Sequence, residues 1–162
     1  MAGRKKSWQE KLEDDKDLPK IVTVEEGGRF GPRWGLKPGD TLVIPAPREV
    51  DELMRMVPPG LVVTINEIRD ALARRHGTTA ACPITTGIFA RIAAEATVEA
   101  AGEDGEIRNP YWRTLKAGGV INEKYPGGVE LQRELLEKEG HKVERRGKKY
   151  VVVDYRERLF TF

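Results

Sequence analysis

Apolar residues recur at helical spacing from Pro47 onward. Val50, Leu53, Met54 and Val57 mark one face until Pro58-Pro59-Gly60 stops the first patterned helix. Leu61-Val62-Val63 is a short apolar segment. Thr64 opens a second helix, with Glu67 three residues on as its capping-box partner. Ile65, Ile68 and Leu72 form its buried stripe, and Gly77 stands where a left-handed C-cap belongs. The polar turn Thr78-Thr79 leads to a third helix. Pro83 suits its first turn, where a missing N–H costs no helical hydrogen bond, and Ile84, Ile88 and Ile92 lie along one side.

The third helix is expected to fade into a mobile, small-residue and acidic loop over Ala100-Ala101-Gly102-Glu103-Asp104-Gly105. Asn109-Pro110-Tyr111-Trp112-Arg113 then opens a Gly-rich segment that ends at Tyr125-Pro126-Gly127-Gly128. A fourth helix is expected from about Val129 to Glu139, with Leu131, Leu135 and Leu136 inward and Gly140 as its cap. Val143 to Tyr155 reads as a β-hairpin turning at Arg146-Gly147-Lys148. Ahead of all this, residues 1–44 read as an irregular extension that packs on the main domain. Trp8 to Asp17 is a short charged helix, Ile21–Val24 and Thr41–Ile44 are short strands, and glycines and prolines break up the rest. The expected layout is an extension over 1–44, a main domain over 45–143 and a packed hairpin over 144–162. The fold class is mainly α with small β elements. The second and third helices, joined by a tight turn, match a helix-turn-helix.

Composition changes little in this picture. The 162 residues carry 28 basic and 26 acidic side chains, so the net charge of +2 does not by itself demonstrate a nucleic-acid partner. A local basic face would matter more. No apolar run approaches the roughly 20 residues of a membrane span, and the charged N-terminus is unlike a signal peptide. A lone Cys82 forms no internal disulfide, and with only His76 and His141 beside it a structural zinc site is not expected. These features favour a reducing, cytoplasmic setting, with no membrane, metal or cofactor implied.

Three anchors in order carry a resemblance. Val57-Pro58-Pro59-Gly60 with Val63-Thr64 and Glu67-Ile68 is the first, and Asn109-Pro110-Tyr111-Trp112-Arg113 is the second. The third is Tyr125-Pro126-Gly127-Gly128 followed by Leu135-Leu136 and Glu139-Gly140-His141. Together they resemble the DNA-binding domain of the O6-alkylguanine-DNA alkyltransferase family, over roughly Pro47 to Val143. The first looks like that family's Ile-Pro-x-Gly-x-Val-x-x-Tyr-x-x-Ile stretch, the second its Pro-Cys-His-Arg motif, and the third its Tyr-Ser-Gly-Gly and Leu-Leu…Glu-Gly segments. The resemblance implies a winged helix-turn-helix that binds DNA in the minor groove.

It also implies a loss of chemistry. The family's cysteine thiolate accepts an alkyl group from a flipped guanine, with a histidine–water–glutamate relay to activate it. Here Tyr111 holds the cysteine position and Trp112 the histidine position, so the transfer reaction is expected to be absent and no catalytic residue is assigned. Alkyltransferase-like proteins also lack that cysteine, usually carrying tryptophan, and bind alkylated bases without repairing them. The resemblance therefore implies a lesion pocket of Tyr111, Trp112, Arg113, Tyr125 and Glu139, with DNA contacts from Thr64, Pro83, Ile84, Thr85, Thr86 and Arg91. Pro83 or Ile84 stands where the family inserts an arginine into the base stack, and Ile65 replaces its phosphate-rotating tyrosine.

Several residues carry two readings. Tyr111 and Trp112 are either a wall on which a base stacks or a plug in a vestigial pocket. Lys142, Arg145, Arg146, Lys148 and Lys149, like Arg4-Lys5-Lys6, are phosphate contacts or solubilising surface. Arg29, Arg33 and Trp34 are equally open. The expected partners are double-stranded DNA with an alkylated base and a downstream repair protein. Two alternatives stand: an enzyme using Cys82 as a displaced nucleophile, and a protein-interaction module built on the helix pair.

Overall fold

The computed structural model describes residues 5–28 and 34–162. Arg4, Arg29 and Arg33 lie outside them. The described chain runs α1 (Trp8–Glu13), β1 (Lys20–Thr23), β2 (Thr41–Ile44), α2 (Pro47–Arg55), β3 (Val63–Thr64), α3 (Ile65–His76), β4 (Ala80–Ala81) and α4 (Pro83–Asp104). It continues through β5 (Thr114–Leu115), α5 (Gly128–Lys138), β6 (Val143–Arg146) and β7 (Lys149–Val152). The fold is mainly helical with small sheets. No described helix is long and apolar enough to cross a membrane.

The capping chemistry sets the helix starts. The Thr64 hydroxyl accepts from the Asn66 N–H at 3.2 Å, and Glu67 Oε1 accepts from the Thr64 N–H at 2.6 Å. Gly77, at φ 65°, closes α3 in the left-handed conformation. Pro83 takes the first turn of α4. Val50, Leu53, Met54, Val57, Ile68 and Leu72 then meet in one core with Ala90, Ala93, Ala94, Tyr111 and Tyr125.

The N-terminal segment is stitched to this core by hydrogen bonds as well as packing. β2 pairs antiparallel with β1 (Ile21 opposite Val43) and parallel with β4 (Leu42 opposite Ala80). Leu42 and Val43 are fully buried.

Two expectations need correction. The stretch from Ala100 to Asp104 is not a loop: it is the end of α4, which closes at left-handed Gly105. Alanines have high helix propensity and keep the helix running, and Asp104 pairs with Arg108 at 2.6 Å just beyond the cap. In α5, Leu131 does not point inward. It is exposed and curls over the left-handed Gly127 turn, while Gln132 and Leu136 are the buried positions.

The C-terminal residues brace the segment between β5 and α5. The Ile121 N–H donates to the Tyr150 carbonyl at 2.8 Å, and Val120 bridges to Val151. Phe160 N–H donates to the Val62 carbonyl at 2.9 Å, closing the chain end onto β3. Gly119 has φ 79°, and a Cβ there would overlap the Tyr155 ring. Gly119→Ala is therefore expected to destabilise the fold by about 2–3 kcal/mol, from overpacking and a left-handed alanine, read as a lowered urea midpoint with unchanged slope.

Candidate nucleic-acid interface

Helix α4 has two unlike faces. Thr86, Ala90, Ala93, Ala94 and Thr97 are buried, a small-residue inner face. Ile84, Ile88 and Ile92 lie on the opposite side at four-residue spacing. Ile84 is 56% exposed and Ile88 51%. Large apolar side chains facing outward opposite a small-residue inner face are a cost to the free protein unless something covers them.

This outward stripe forms one wall of a cavity of about 670 Å³, within the usual range for ligand sites. Leu115 of β5, Lys116 and Ala117 just after it, and Asn122 to Tyr125 before α5 form the facing wall. Ile65 at the start of α3 closes one side, and Trp8 and Lys11 of α1 close another. The walls are apolar at their centre. Lys11, Arg91, Lys116 and Lys124 stand around the edge against one carboxylate, Glu123, which pairs with Lys116 at 3.4 Å.

The residues expected to form a lesion pocket do form one connected cluster. Tyr111 packs edge-on against Trp112 at 5.4 Å and against Tyr125 at 5.6 Å. The Tyr111 hydroxyl donates to the Pro126 carbonyl at 3.2 Å. Trp112 Nε1 donates to Glu139 at 3.1 Å, and Arg113 grips the same carboxylate through Nε at 2.9 Å and Nη2 at 2.6 Å. Arg113 Nη1 also donates to the Val57 carbonyl at 2.9 Å, tying the end of α2 to this cluster.

Of these five residues, however, only Tyr125 lines the cavity. Tyr111 is 2% exposed and belongs to the core beneath it. Buried there between its two aromatic neighbours, it offers no open ring plane to a base. Burial pushes the Tyr111 hydroxyl up, with a smaller push from Glu95. Burial does the same more strongly to Tyr125. Both stay protonated. Glu139 is partly desolvated, which opposes ionisation, but the hydrogen bonds from Arg113 and Trp112 prevail and hold its carboxyl below the ordinary range.

The six candidate DNA contacts also divide. Pro83, Ile84 and Arg91 line the cavity together. Thr86 is fully buried and its hydroxyl donates to the Cys82 carbonyl at 2.6 Å, so it offers nothing at the surface. Thr64 is likewise buried, its hydroxyl committed to capping α3. Thr85 is half-buried with its hydroxyl oxygen turned away from solvent. Cys82 is 4% exposed and does not line the cavity. No group of three or more His, Cys, Asp or Glu among the described residues is placed to hold a metal.

Sequence reasoning missed Ile88, Lys116, Lys124, Trp8 and Lys11 as parts of this site. For Ile88 the signal was present: an isoleucine stripe running opposite an alanine stripe on one helix cannot bury both. The lysines had no such signal, because their meeting with α4 depends on how the segment after β5 folds back.

No protein-family model matches the chain, and no curated protein does. Two solved structures are similar to it. One is S. pombe Atl1 in complex with damaged DNA containing O6-carboxymethylguanine, 21% identical, covering 72% of this chain and 94% of that one at a TM-score of 0.49. The other is S. pombe ATL in complex with DNA, 20% identical with the same coverages and a TM-score of 0.47.

Proposed function

We propose that this chain binds double-stranded DNA through α4 and recognises an alkylated or otherwise modified base without repairing it. The carrying observation is the cavity itself: an apolar slot of base-accommodating size whose edge holds Lys11, Arg91, Lys116 and Lys124 against Glu123 alone. An aromatic or alkylated base suits the walls, and the flanking phosphates suit the cations. In this reading α3 and α4 act as the helix pair of a winged helix-turn-helix, with α4 as the recognition helix. Ile84 and Ile88 serve as an apolar wedge of the kind that pries base steps apart.

The chemistry points away from repair. Group transfer from an alkylated base requires an accessible thiolate, and Cys82 is buried outside the cavity. The cysteine position of the resembling motif holds Tyr111, a protonated core phenol. The alkyl group therefore stays on the base, and a downstream repair protein would read the complex.

The test is a fluorescence-anisotropy titration with matched duplexes, one carrying O6-methylguanine and one unmodified. The wild type is expected to bind both and to prefer the modified duplex, with no mass gain on the protein. Ile88→Glu, at an exposed position, is expected to abolish that preference. Burying the isoleucine side chain against a base is worth about 2 kcal/mol, on the order of thirtyfold in affinity. Equal binding of both duplexes would leave a DNA-binding protein with no lesion preference. No binding to either at low salt, where electrostatic attraction is strongest, would overturn the DNA reading in favour of a protein-interaction module.

A further inference from the structure

The N-terminal helix lies outside the stretch that carries the family resemblance, yet it closes one side of the cavity. α1 is held by α4 in a specific way. The Glu99 carboxylate accepts from the backbone N–H of Trp8 and of Gln9, both at 3.1 Å, and from Gln9 Nε2 at 3.1 Å. These donors hold Glu99 ionised below the usual carboxylate range, against the desolvation that opposes it. Arg91 precedes Glu99 by eight residues, two turns along the same face of α4. Its guanidinium lies 5.6 Å from the centroid of the Trp8 ring, and Lys11 Nζ lies 4.3 Å from the same ring. Trp8 and Lys11 are three residues apart, neighbours on the face of α1.

One indole therefore gathers two cations from two different helices at the cavity edge. Neither cation forms an ion pair among the described residues, and Arg91 is exposed. Glu99, the nearest carboxylate bound to α1, is used up by backbone and amide donors. Both cations are thus steered to one ring by cation–π attraction, and both line the cavity, where an arriving phosphate would meet them.

We infer that α1 is part of the binding machinery: Trp8 positions Lys11 and Arg91 as a two-cation receptor for DNA phosphates beside the base that enters the cavity. This rests on the DNA reading above and extends it to a segment with no counterpart in the resemblance. Trp8 is a positioning residue. The contacts to phosphate come from Lys11 and Arg91, which line the same cavity as Lys116 and Lys124.

The experiment compares wild type, Trp8→Ala, Trp8→Phe, Arg91→Gln and Trp8→Ala/Arg91→Gln in full-length protein, titrated with the unmodified duplex between about 50 and 200 mM salt. Each phosphate contact contributes about 0.9 to the slope of log affinity against log salt. Trp8→Ala is expected to flatten that slope by up to about 1.8, and Arg91→Gln by about 0.9. Trp8→Phe, which keeps a ring face, retains most of the wild-type slope. Arg91→Gln added to Trp8→Ala has little further effect, because the guanidinium is already out of place. If wild type binds and Trp8→Ala leaves its slope unchanged, the receptor is overturned while the cavity reading stands. If Trp8→Ala weakens binding with full additivity to Arg91→Gln, Trp8 does not act through Arg91 and the inference also fails. If wild type itself binds no duplex, both readings fail together.

Discussion

Arg113→Ala is expected to lower the stability of the protein by about 3 kcal/mol at neutral pH, the range seen when one partner of a buried ion pair is removed. The pair is nearly enclosed, with side chains of Arg113 and Glu139 12% and 13% exposed. The truncation leaves Glu139 with only the Trp112 N–H as a neutral donor, and strips the Val57 carbonyl of its partner. The pH dependence identifies the cause. The Glu139 carboxyl titrates below its ordinary value of about 4.5 in the fold. Its contribution is thus present above that value and is lost as pH falls through the lowered one. Burial likewise holds His141 below its ordinary 6.5, with Arg158 and Arg113 adding to the effect and Glu139 opposing it. The neutral ring therefore contributes above 6.5, and that contribution is lost as pH falls below it. Removing Arg113 relaxes both shifts. The stability gap between wild type and variant should be widest near pH 7 and narrow on acidification, measured by urea unfolding at several pH values. A gap that stays constant into acid would mean that the loss comes from packing against Trp112 and not from the ion pair.

This cluster also shows where sequence reasoning succeeds and where it stops. The helix pair was legible because its signals are local: Thr64 with Glu67, Gly77, and Pro83 each act within a few residues. The C-terminal hairpin was legible for the same reason, its strands separated by a Gly-Lys turn. The end of α4 is not legible in this way because its acidic and small residues carry a loop signature, while the alanines among them favour helix. The site was legible only as a set of names. Tyr111, Trp112, Arg113, Tyr125 and Glu139 do come together, but which of them faces solvent depends on the angle at which the turn after Pro110 enters the core. That angle is fixed by long-range contacts, such as fully buried Asn109 donating to Asp51 at 2.8 Å. The part played by Trp8 depends on Glu99, 91 residues away, and no pattern along the chain announces that pairing.

The double reversal Lys116→Glu/Lys124→Glu is expected to weaken DNA binding by about 3 kcal/mol, on the order of a hundredfold at low salt, since like charges are then set against phosphates. The fold should hardly notice. Both lysines are exposed, and the Lys116–Glu123 pair at 3.4 Å joins side chains 46% and 56% exposed, where ion pairs contribute little. The backbone that carries them is braced independently by Lys116 N–H to the Val120 carbonyl and Ile121 N–H to the Tyr150 carbonyl, each 2.8 Å. The salt slope should fall by about 1.8 for two lost contacts, equally on modified and unmodified duplexes, because phosphates carry no base identity. Ile88→Glu should instead reduce the modified duplex selectively. One cavity is thus expected to separate affinity from recognition: its cations set how tightly any duplex is held, and its isoleucines set which base it holds. A double reversal that changed the preference between duplexes without changing the slope would place Lys116 and Lys124 against the base, and the assignment of the two roles would have to be exchanged.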